Sequence, residues 1–300
     1  MKKLFLTGGT SLLGVALLAR IPSDWKIILA QHKHRNIFPE SKNVEPVILD
    51  VTDQTRISTL IERFEPDLIL HAAALSNVDF CQKHQKETWL VNVKGTRNIV
   101  KACEQSRIPL LYISSNAVFD GAKDLYGEKD KPNPVNFYGK TKYEGEKIVQ
   151  KSSLPWIIVR LITMYGWPPS GTRQNPVTWT LEKLQNGEKL RIVNDVRLNP
   201  LYNHDAADAL WIIIEKGRNK NIYHAAGSEV VNRYQWALET AKVFGFDPSL
   251  ISPVSSSFFN RKIAPRPPQT IYSIKKIKRE LGIRPKGIKE GLKAMEDEKR

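Results

Sequence analysis

Short apolar runs alternate with amphipathic stretches along the first two-thirds of the chain. The apolar runs are Lys3–Thr7, Lys26–Ala30, Val44–Asp50, Leu68–Ala72, Pro109–Ser114 and Trp156–Arg160. The stretches with helical spacing are Leu13–Arg20, Ile57–Phe64, Glu87–Gln105 and Tyr138–Gln150. This alternation is typical of βαβ units. Because parallel strands need right-handed crossovers, it predicts an α/β fold with a doubly wound parallel sheet and helices on both faces.

The alternation ends after Tyr165, where Gly166 is followed by Trp167, Pro168 and Pro169. Prolines punctuate the rest of the chain, which indicates loops between shorter elements. We therefore expect two parts. Residues 1–165 form the core, and residues 166–300 form mainly a smaller C-terminal lobe, with segments that return to the core.

Composition and charge narrow the class of protein. Hydrophobic residues make up 41% of the chain and charged residues 26%, which is ordinary for a globular enzyme. The formal net charge of +15 is compatible with nucleic acid, an anionic membrane or an anionic small substrate. Near the end of the chain the cations alternate with apolar residues, as on solvated helix faces. The chain has no aromatic–basic interleaving or zinc spacing, so we expect no nucleic-acid partner and no metal.

Three further observations concern the compartment. No apolar run approaches the roughly twenty residues of a membrane helix, so we expect no membrane partner. The start of the chain could pass for a signal peptide, but Thr7–Thr10 splits its apolar stretch and favours a strand, a turn and a helix. Cys81 and Cys103 cannot build a disulfide framework, which favours a reducing compartment. We expect a cytoplasmic protein.

A glycine-rich turn, Thr7–Gly14, follows the first predicted strand and precedes the first predicted helix. A helix N-terminus offers free N–H groups and a positive dipole end to a pyrophosphate. Gly8 permits the tight turn, and Gly14 lets the helix pack closely on the sheet. A glycine pattern alone is weak evidence, but its position at the first strand–helix junction favours a Rossmann-type dinucleotide site.

The end of the second predicted strand indicates the type of dinucleotide. NAD sites usually carry an acid about twenty residues after the glycine turn, which bonds the ribose 2′-hydroxyl. Here His32, Lys33 and Arg35 occupy this region, and the next acid is Glu40. These cations suit a 2′-phosphate and favour NADP(H), with NAD(H) as the alternative. A solvated basic loop is the other reading of the same residues.

Tyr138 and Lys142 are four residues apart at the start of a helical stretch, which places them on one helix face. Tyrosine has an ordinary pKa of about 10, and a neighbouring ammonium favours the phenolate. We therefore expect Lys142 to lower the pKa of Tyr138 and make it a usable acid. The hydroxyls of Ser114 and Ser115 end the preceding strand, at the edge where such sheets bind ligands.

Together these motifs resemble the extended short-chain dehydrogenases. The family pattern Thr-Gly-x-x-Gly-x-x-Gly is matched except at Ser11, which replaces the middle glycine. The resemblance implies that Ser115, Tyr138 and Lys142 are catalytic. Lys142 would also hold the nicotinamide ribose, and Asn92 would support the site through its backbone and a water. The residues expected to bind the cofactor are Gly8, Thr10, Ser11, Leu12, Leu13, His32, Lys33, Arg35, Asp50, Val51, Ala72, Ala73, Ala74, Asn92, Tyr138 and Lys142.

Within that family the chain is similar to the dTDP-4-dehydrorhamnose reductase branch over nearly its whole length. The segments that carry the similarity are Val118–Gly121, Tyr126–Pro134, Arg160–Gly166, Pro200–Ala207, Ile222–Gly227 and Arg266–Pro268. The chain departs from the branch at Asn116 and Ala117, where Asp-Tyr is common. The resemblance implies an NADPH-dependent reductase of a nucleotide-linked keto-sugar, which the C-terminal lobe would bind.

Two other functions stay open. One is a nucleotide-sugar epimerase or dehydratase with tightly held NAD, although such enzymes usually have an acid after the second strand. The other is a non-catalytic dinucleotide-binding subunit that resembles the regulatory subunit of methionine adenosyltransferase. Arg173, Arg197 and Arg266 are candidates for binding a diphosphate, since the guanidinium suits phosphate oxygens. The expected partners are a nucleotide-sugar substrate and, as an alternative, a second copy of the chain.

Overall fold

A computed structural model describes residues 1–32, 41–259 and 264–298. Its strands are β1 (Lys2–Thr7), β2 (Trp25–Gln31), β3 (Val44–Ile48), β4 (Leu68–His71), β5 (Leu110–Ser115), β6 (Trp156–Leu161), β7 (Met164–Tyr165), β8 (Leu190–Val193), β9 (Arg197–Leu198), β10 (Leu201–Tyr202), β11 (Asn221–Ala225), β12 (Val231–Asn232) and β13 (Ile251–Val254). Seven of them form the central sheet, in the order β11-β6-β5-β4-β1-β2-β3.

The helices lie on both sides of this sheet. They are α1 (Leu12–Leu18), α2 (Gln54–Phe64), α3 (Val78–Lys83), α4 (Gln85–Trp89), α5 (Gly95–Ser106), α6 (Phe137–Lys151), α7 (Pro176–Gln185), α8 (Asn203–Lys216), α9 (Arg233–Val243), α10 (Lys275–Leu281) and α11 (Ile288–Asp297). A π-helix, Leu90–Lys94, joins α4 to α5. The single helix predicted over Glu87–Gln105 is therefore three consecutive helical pieces, and α3 was not predicted.

All neighbouring strands of the central sheet are parallel. Successive side chains of a strand point to opposite faces. In β1, Leu4 and Leu6 join one hydrophobic cluster, while Phe5 joins a second cluster on the other face. Burial on both faces explains why these strands are continuous apolar runs. The predicted fold class, a Rossmann-type doubly wound parallel sheet, is confirmed.

Residues after 165 contribute to two places. Short strands form three two-stranded sheets, β7 with β10, β9 with β12 and β8 with β13. Leu184, Leu190 and Ile251 belong to a separate small hydrophobic cluster there. By contrast, β11 returns to the central sheet beside β6, and α8 packs against α1. The later part of the chain thus supplies one edge of the sheet as well as a small lobe.

Candidate functional site

The turn after β1 passes so close to its neighbours that side chains are excluded at two positions. Gly8 has a φ of +75°, and a Cβ on it would lie 2.7 Å from the backbone nitrogen of Ala73. A Cβ on Gly14 would lie 1.9 Å from the carbonyl oxygen of Gly9. The turn is therefore a narrow cradle of backbone between β1 and β4. The strand order reverses at this point, where open α/β sheets bind their ligands.

The predicted phosphate-binding residues lie along this cradle. Ser11 is the N-cap of α1, and its Oγ accepts a hydrogen bond of 3.2 Å from the backbone N–H of Gly14. Thr10 and Leu12 are half-buried, whereas the side chain of Leu13 is buried in the core. Leu13 can thus offer a ligand only its backbone. Ser11 keeps its own proton free for an anion at the start of the helix.

The ends of β2 and β3 lie beside each other at the same edge. His32 Nε2 lies 3.5 Å from Asp50 Oδ2. Burial raises the pKa of Asp50, but hydrogen bonds from Thr52 and the nearby His32 outweigh it, so the pKa is lowered overall. Val51 is buried next to Asp50. Two other residues predicted to bind the cofactor lie outside the described residues: Lys33 and Arg35.

Asn92 is buried on the π-helix, and its side chain forms hydrogen bonds both to the loop after β4 and to α6. Its Oδ1 accepts from the backbone N–H of Leu75 at 2.8 Å, and its Nδ2 donates to the Leu75 carbonyl at 3.0 Å. The same Nδ2 donates to Thr141 Oγ1 on α6 at 3.0 Å. The half-buried Ala72–Ala74 precedes this loop. The side chain of Asn92 therefore positions the loop, and direct binding of the cofactor by Asn92 stays a prediction.

The start of α6 lies against the loop that follows β5. Asn136 is the N-cap and accepts from the backbone N–H of Gly139 at 2.8 Å. A Cβ on Gly139 would lie 2.0 Å from the carbonyl oxygen of Ala117. Glycine at this position therefore lets the helix approach the loop closely. As a result Tyr138 lies beside the end of β5.

Ser115 lies near enough to Tyr138 to act on its pKa. Ser115 ends β5, and its Oγ accepts from the backbone N–H of Ala117 at 3.2 Å. Lys142, one turn after Tyr138, is 3% exposed, and its Nζ lies 4.2 Å from the centre of the Tyr112 ring. The structure thus brings Ser115 and Tyr138 close together, with the buried Lys142 one helical turn away.

The expected effect of Lys142 on Tyr138 is wrong for this structure. Burial raises the pKa of Tyr138 to about 12, although the nearby Ser115 acts in the opposite direction. Burial also lowers the pKa of Lys142 to about 7, against the charge of Glu146. Desolvation disfavours both charged forms and is the largest cause of both shifts.

Sequence reasoning missed a buried ion pair next to Lys142. Glu146, one further turn along α6, accepts from Arg160 Nε at 2.8 Å and from Nη2 at 2.7 Å. Ser114 Oγ donates to Glu146 Oε1 at 2.5 Å. Arg160 also lies 3.3 Å from His224 Nε2. Tyr138, Lys142 and Glu146 are spaced by four residues, which places them on one face of α6. This spacing could have predicted that Glu146 lies at the site, although not that Arg160 is its partner.

A cavity of about 460 Å³ lies in the C-terminal lobe, between α7, β8 and α9. Its lining includes three arginines and three aromatic side chains: Arg173, Arg191, Arg233, Trp179, Trp236 and Phe259. Burial lowers the pKa of Arg233, and the nearby Arg266 adds to the effect. Within the described part of the chain, no carboxylate pairs with Arg233. The cavity therefore combines aromatic surface with an uncompensated cation, an arrangement suited to an anionic ligand with an aromatic group.

The three arginines predicted to bind a diphosphate differ in their surroundings. Arg173 is exposed at the cavity, and Arg197 is exposed on β9. Arg266 is engaged with the carboxylate of Asp79, through bonds of 2.9 Å and 2.8 Å. This bond holds the pKa of Asp79 below its ordinary value. Sequence reasoning missed Arg191 and Arg233, which lie in amphipathic elements without any local motif.

The described residues hold no group of three or more His, Cys, Asp or Glu side chains arranged to bind a metal ion. The helices they form are too short or too polar to cross a membrane.

Comparisons with known proteins extend over the whole chain. Residues 1–300 match the family described as the RmlD substrate binding domain. The spore coat polysaccharide biosynthesis protein SpsK of Bacillus subtilis (strain 168) is 27% identical over 296 residues, which cover 98% of this chain and 96% of that protein. Methionine adenosyltransferase 2 subunit beta of Bos taurus is 29% identical over 262 residues, covering 85% of this chain and 76% of that one.

A solved structure is similar over the same length. The dTDP-4-dehydrorhamnose reductase of Bacillus anthracis str. Ames, solved in complex with NADP, superposes with a TM-score of 0.86. It is 24% identical in sequence, and the match covers 99% of this chain and 100% of that one. The resemblance predicted from the sequence motifs is thus confirmed. The chain belongs to the family of the RmlD substrate binding domain.

Proposed function

We propose that the protein is an NADPH-dependent reductase of a nucleotide-linked keto-sugar, similar to dTDP-4-dehydrorhamnose reductase. The observation that carries the proposal is the position of Ser115 and Tyr138, which lie close together at the carboxyl edge of the sheet. The glycine cradle of Gly8 and Gly14 lies at the same edge. A phenol and a hydroxyl beside a dinucleotide site are the groups that carbonyl reduction requires.

The cradle fits a dinucleotide, because Gly8 and Gly14 hold the turn tightly in place and Ser11 begins α1 directly after it, where a helix N-terminus offers N–H groups to a pyrophosphate. NADPH supplies a hydride when bound. We assign its phosphates to the cradle and its adenosine end to His32, Asp50 and Val51. We assign Lys142 to the nicotinamide ribose, as the family resemblance implies. We favour NADPH over NADH because His32 and the basic residues that follow it in the sequence suit a 2′-phosphate.

The residues of the site then divide the work of reduction. Ser115 bonds the carbonyl oxygen of the sugar as negative charge develops on it. Bound NADPH would supply the hydride to the carbonyl carbon, and Tyr138 would give its proton to the oxygen, so that the product would be a secondary alcohol. A pKa of about 12 keeps Tyr138 protonated until that step. Lys142 and Ser115 stabilise the phenolate that remains, before it takes a proton from solvent.

We assign the nucleotide part of the substrate to the cavity of the C-terminal lobe. Its volume of about 460 Å³ is in the range of small-molecule sites. The aromatic residues Trp179 and Trp236 offer surface to a base, and Arg233 offers an unpaired guanidinium to a diphosphate. The keto-sugar would then extend towards Tyr138.

The test is NADPH oxidation by the purified protein with a panel of nucleotide-linked 4-keto-sugars, NADH serving as the comparison cofactor. We expect turnover with NADPH and at least one sugar. Replacing Tyr138 with Phe should lower kcat by about 10²-fold or more, while NADPH still binds. No turnover with any sugar, together with a stoichiometric enzyme partner in a pull-down, would replace the reductase with a regulatory subunit.

Arg233→Met tests the substrate cavity in the same assay. We expect KM for the nucleotide-sugar to rise by about tenfold or more, because an Arg–phosphate bond is charge-assisted, with little change in KM for NADPH. Arg284→Met is the control, since it removes the same charge from an exposed position. Equal effects of the two changes would show that Arg233 acts only through net charge.

A further inference from the structure

The C-terminal segment 264–272 crosses back over the catalytic elements. Asn136, the N-cap of α6, donates from Nδ2 to the carbonyl oxygen of Pro265 at 3.0 Å. The backbone N–H of Ala264 donates to Asp79 on α3 at 2.9 Å. Farther along, the backbone N–H of Tyr126 donates to the carbonyl oxygen of Ile271 at 2.8 Å. The segment therefore touches both the helix that carries Tyr138 and the region after β5.

Thr270 is the residue of this segment that reaches the loop after Ser115. Thr270 is 4% exposed, and its Oγ1 accepts from Asn116 Nδ2 at 2.7 Å. The two residues are 154 positions apart in the sequence. The backbone N–H of Thr270 donates to the carbonyl oxygen of Arg197 at 3.1 Å. The hydroxyl is thus fixed from the side of the C-terminal lobe.

Asn116 transmits this constraint to the catalytic serine. Ser115 Oγ donates to Asn116 Oδ1 at 3.3 Å. A sequence of hydrogen bonds therefore runs from Thr270 through Asn116 to Ser115, which lies near Tyr138. The Ser115 hydroxyl has only one proton, so it can donate either to Asn116 or to the substrate oxygen, but not to both. Before the substrate binds, Asn116 therefore fixes the position of the Ser115 oxygen. During reduction the hydroxyl rotates and donates to the substrate.

We propose that Asn116 and Thr270 are positioning residues that hold the Ser115 hydroxyl in place beside Tyr138, so that the C-terminal segment 264–272 completes the catalytic site. This role rests on the proposed reductase function. Neither side chain needs to touch the substrate. A displaced hydroxyl costs rate because a shift of about 1 Å in a reacting group can lower it up to 10²-fold.

Thr270→Val and Thr270→Ser form a matched pair for kinetics. Valine keeps the shape of threonine but removes the hydroxyl, whereas serine keeps the hydroxyl. We expect Thr270→Val to lower kcat about tenfold, with KM for NADPH within about twofold. Thr270→Ser should restore most of kcat. Asn116→Ala provides an independent break in the same sequence of bonds. A kcat within about twofold of the wild type for Thr270→Val would overturn the proposal.

A second readout needs no substrate. The ¹³Cζ resonance of Tyr138, assigned with Tyr138→Phe, reports on the position of the neighbouring Ser115 hydroxyl. We expect Thr270→Val and Asn116→Ala to move this resonance, and Thr270→Ser to leave it near the wild-type position. In a Ser115→Ala background, Thr270→Val should have no further effect. An unmoved resonance in Thr270→Val contradicts the proposal. If no sugar is reduced but the resonance moves as expected, the reductase function falls and the positioning of Ser115 stands.

Discussion

The pKa values of single residues in the site are set mainly by desolvation. Tyr138 keeps its proton because burial raises its pKa to about 12, and Lys142 releases its proton readily because burial lowers its pKa to about 7. Each is the direction expected of a desolvated group. The pair is therefore closest to neutral in the protein alone. We expect Tyr138 to become a phenolate only when it transfers its proton to the oxygen of the substrate.

The shift of Lys142 makes stability depend on pH. Below about pH 7 both the folded and the unfolded chain hold the proton, and the folded chain carries the full cost of a buried ammonium. Between this pH and the ordinary pKa of 10.5, only the unfolded chain keeps the proton, so stability rises with pH. Lys142→Met removes this dependence.

We expect the stability of the wild type, relative to Lys142→Met, to rise by on the order of 2 kcal/mol between about pH 7 and about pH 9. Chemical denaturation at the two pH values measures it. Lys140→Met, at an exposed position of the same helix, is the control and should follow the wild type. Parallel pH profiles for the wild type and Lys142→Met would contradict a lowered pKa.

At the scale of elements, the helices that surround the site begin with side-chain caps. Ser11 caps α1, Asp53 caps α2 and Asn136 caps α6. In the lobe, Asn175 and Asn232 cap α7 and α9, each as part of a capping box. Each cap satisfies N–H groups that the helix itself leaves free. Elements placed in this way can hold a ligand at their ends without large movements.

Ser11 allows a graded test of the first cap. Ser11→Ala should cost about 1 kcal/mol of unfolding free energy, and Ser11→Gly only a few tenths. Glycine also restores the family pattern, so NADPH affinity should be kept or improved in Ser11→Gly. Urea denaturation and calorimetric titration measure the two quantities. Weaker NADPH binding in Ser11→Gly than in Ser11→Ala would assign the Ser11 hydroxyl a direct role at the phosphates.

The elements show what local sequence can and cannot predict. The predicted strands agree with β1 to β6 within two residues at each end, since burial on both faces leaves continuous apolar runs. The glycine turn was predictable because Gly8 and Gly14 are required by close backbone contacts. The short helix α3 mixes polar and apolar residues and gave no periodic signal. The pairing of Asn116 with Thr270 joins distant positions, so no local pattern could reveal it.

At the scale of the whole molecule, one buried ion pair links the catalytic helix to the sheet. Glu146 on α6 and Arg160 on β6 have side chains that are 0% and 2% exposed. Ser114 bonds Glu146 from β5, and His224 contacts Arg160 from β11. The pair therefore joins one helix and three strands, including the strand that the C-terminal part returns to the sheet.

Arg160→Met should be costly because it leaves the carboxylate of Glu146 buried without a partner. We expect a loss of about 3–5 kcal/mol. The double variant with Glu146→Gln should lose less than the sum of the two single changes, since the unpaired charge is then absent. Arg279→Met, which removes an exposed guanidinium that pairs with Glu280, should change stability by less than about 1 kcal/mol. Strict additivity of the double variant would contradict the coupling.

The π-helix at Leu90–Lys94 has a consequence for how this chain can vary in length. A wide turn of this kind equals one extra residue inserted in an ordinary helix. Deleting Val91 would remove the extra residue and let the segment rewind as an ordinary helix, with the flanking side chains keeping their alignment. Asn92 lies within the wide turn, so this rewinding would displace it from Leu75 or from Thr141. We expect such a one-residue deletion to abolish turnover while circular dichroism still reports a helical protein, although an indel on a surface loop would pass unnoticed.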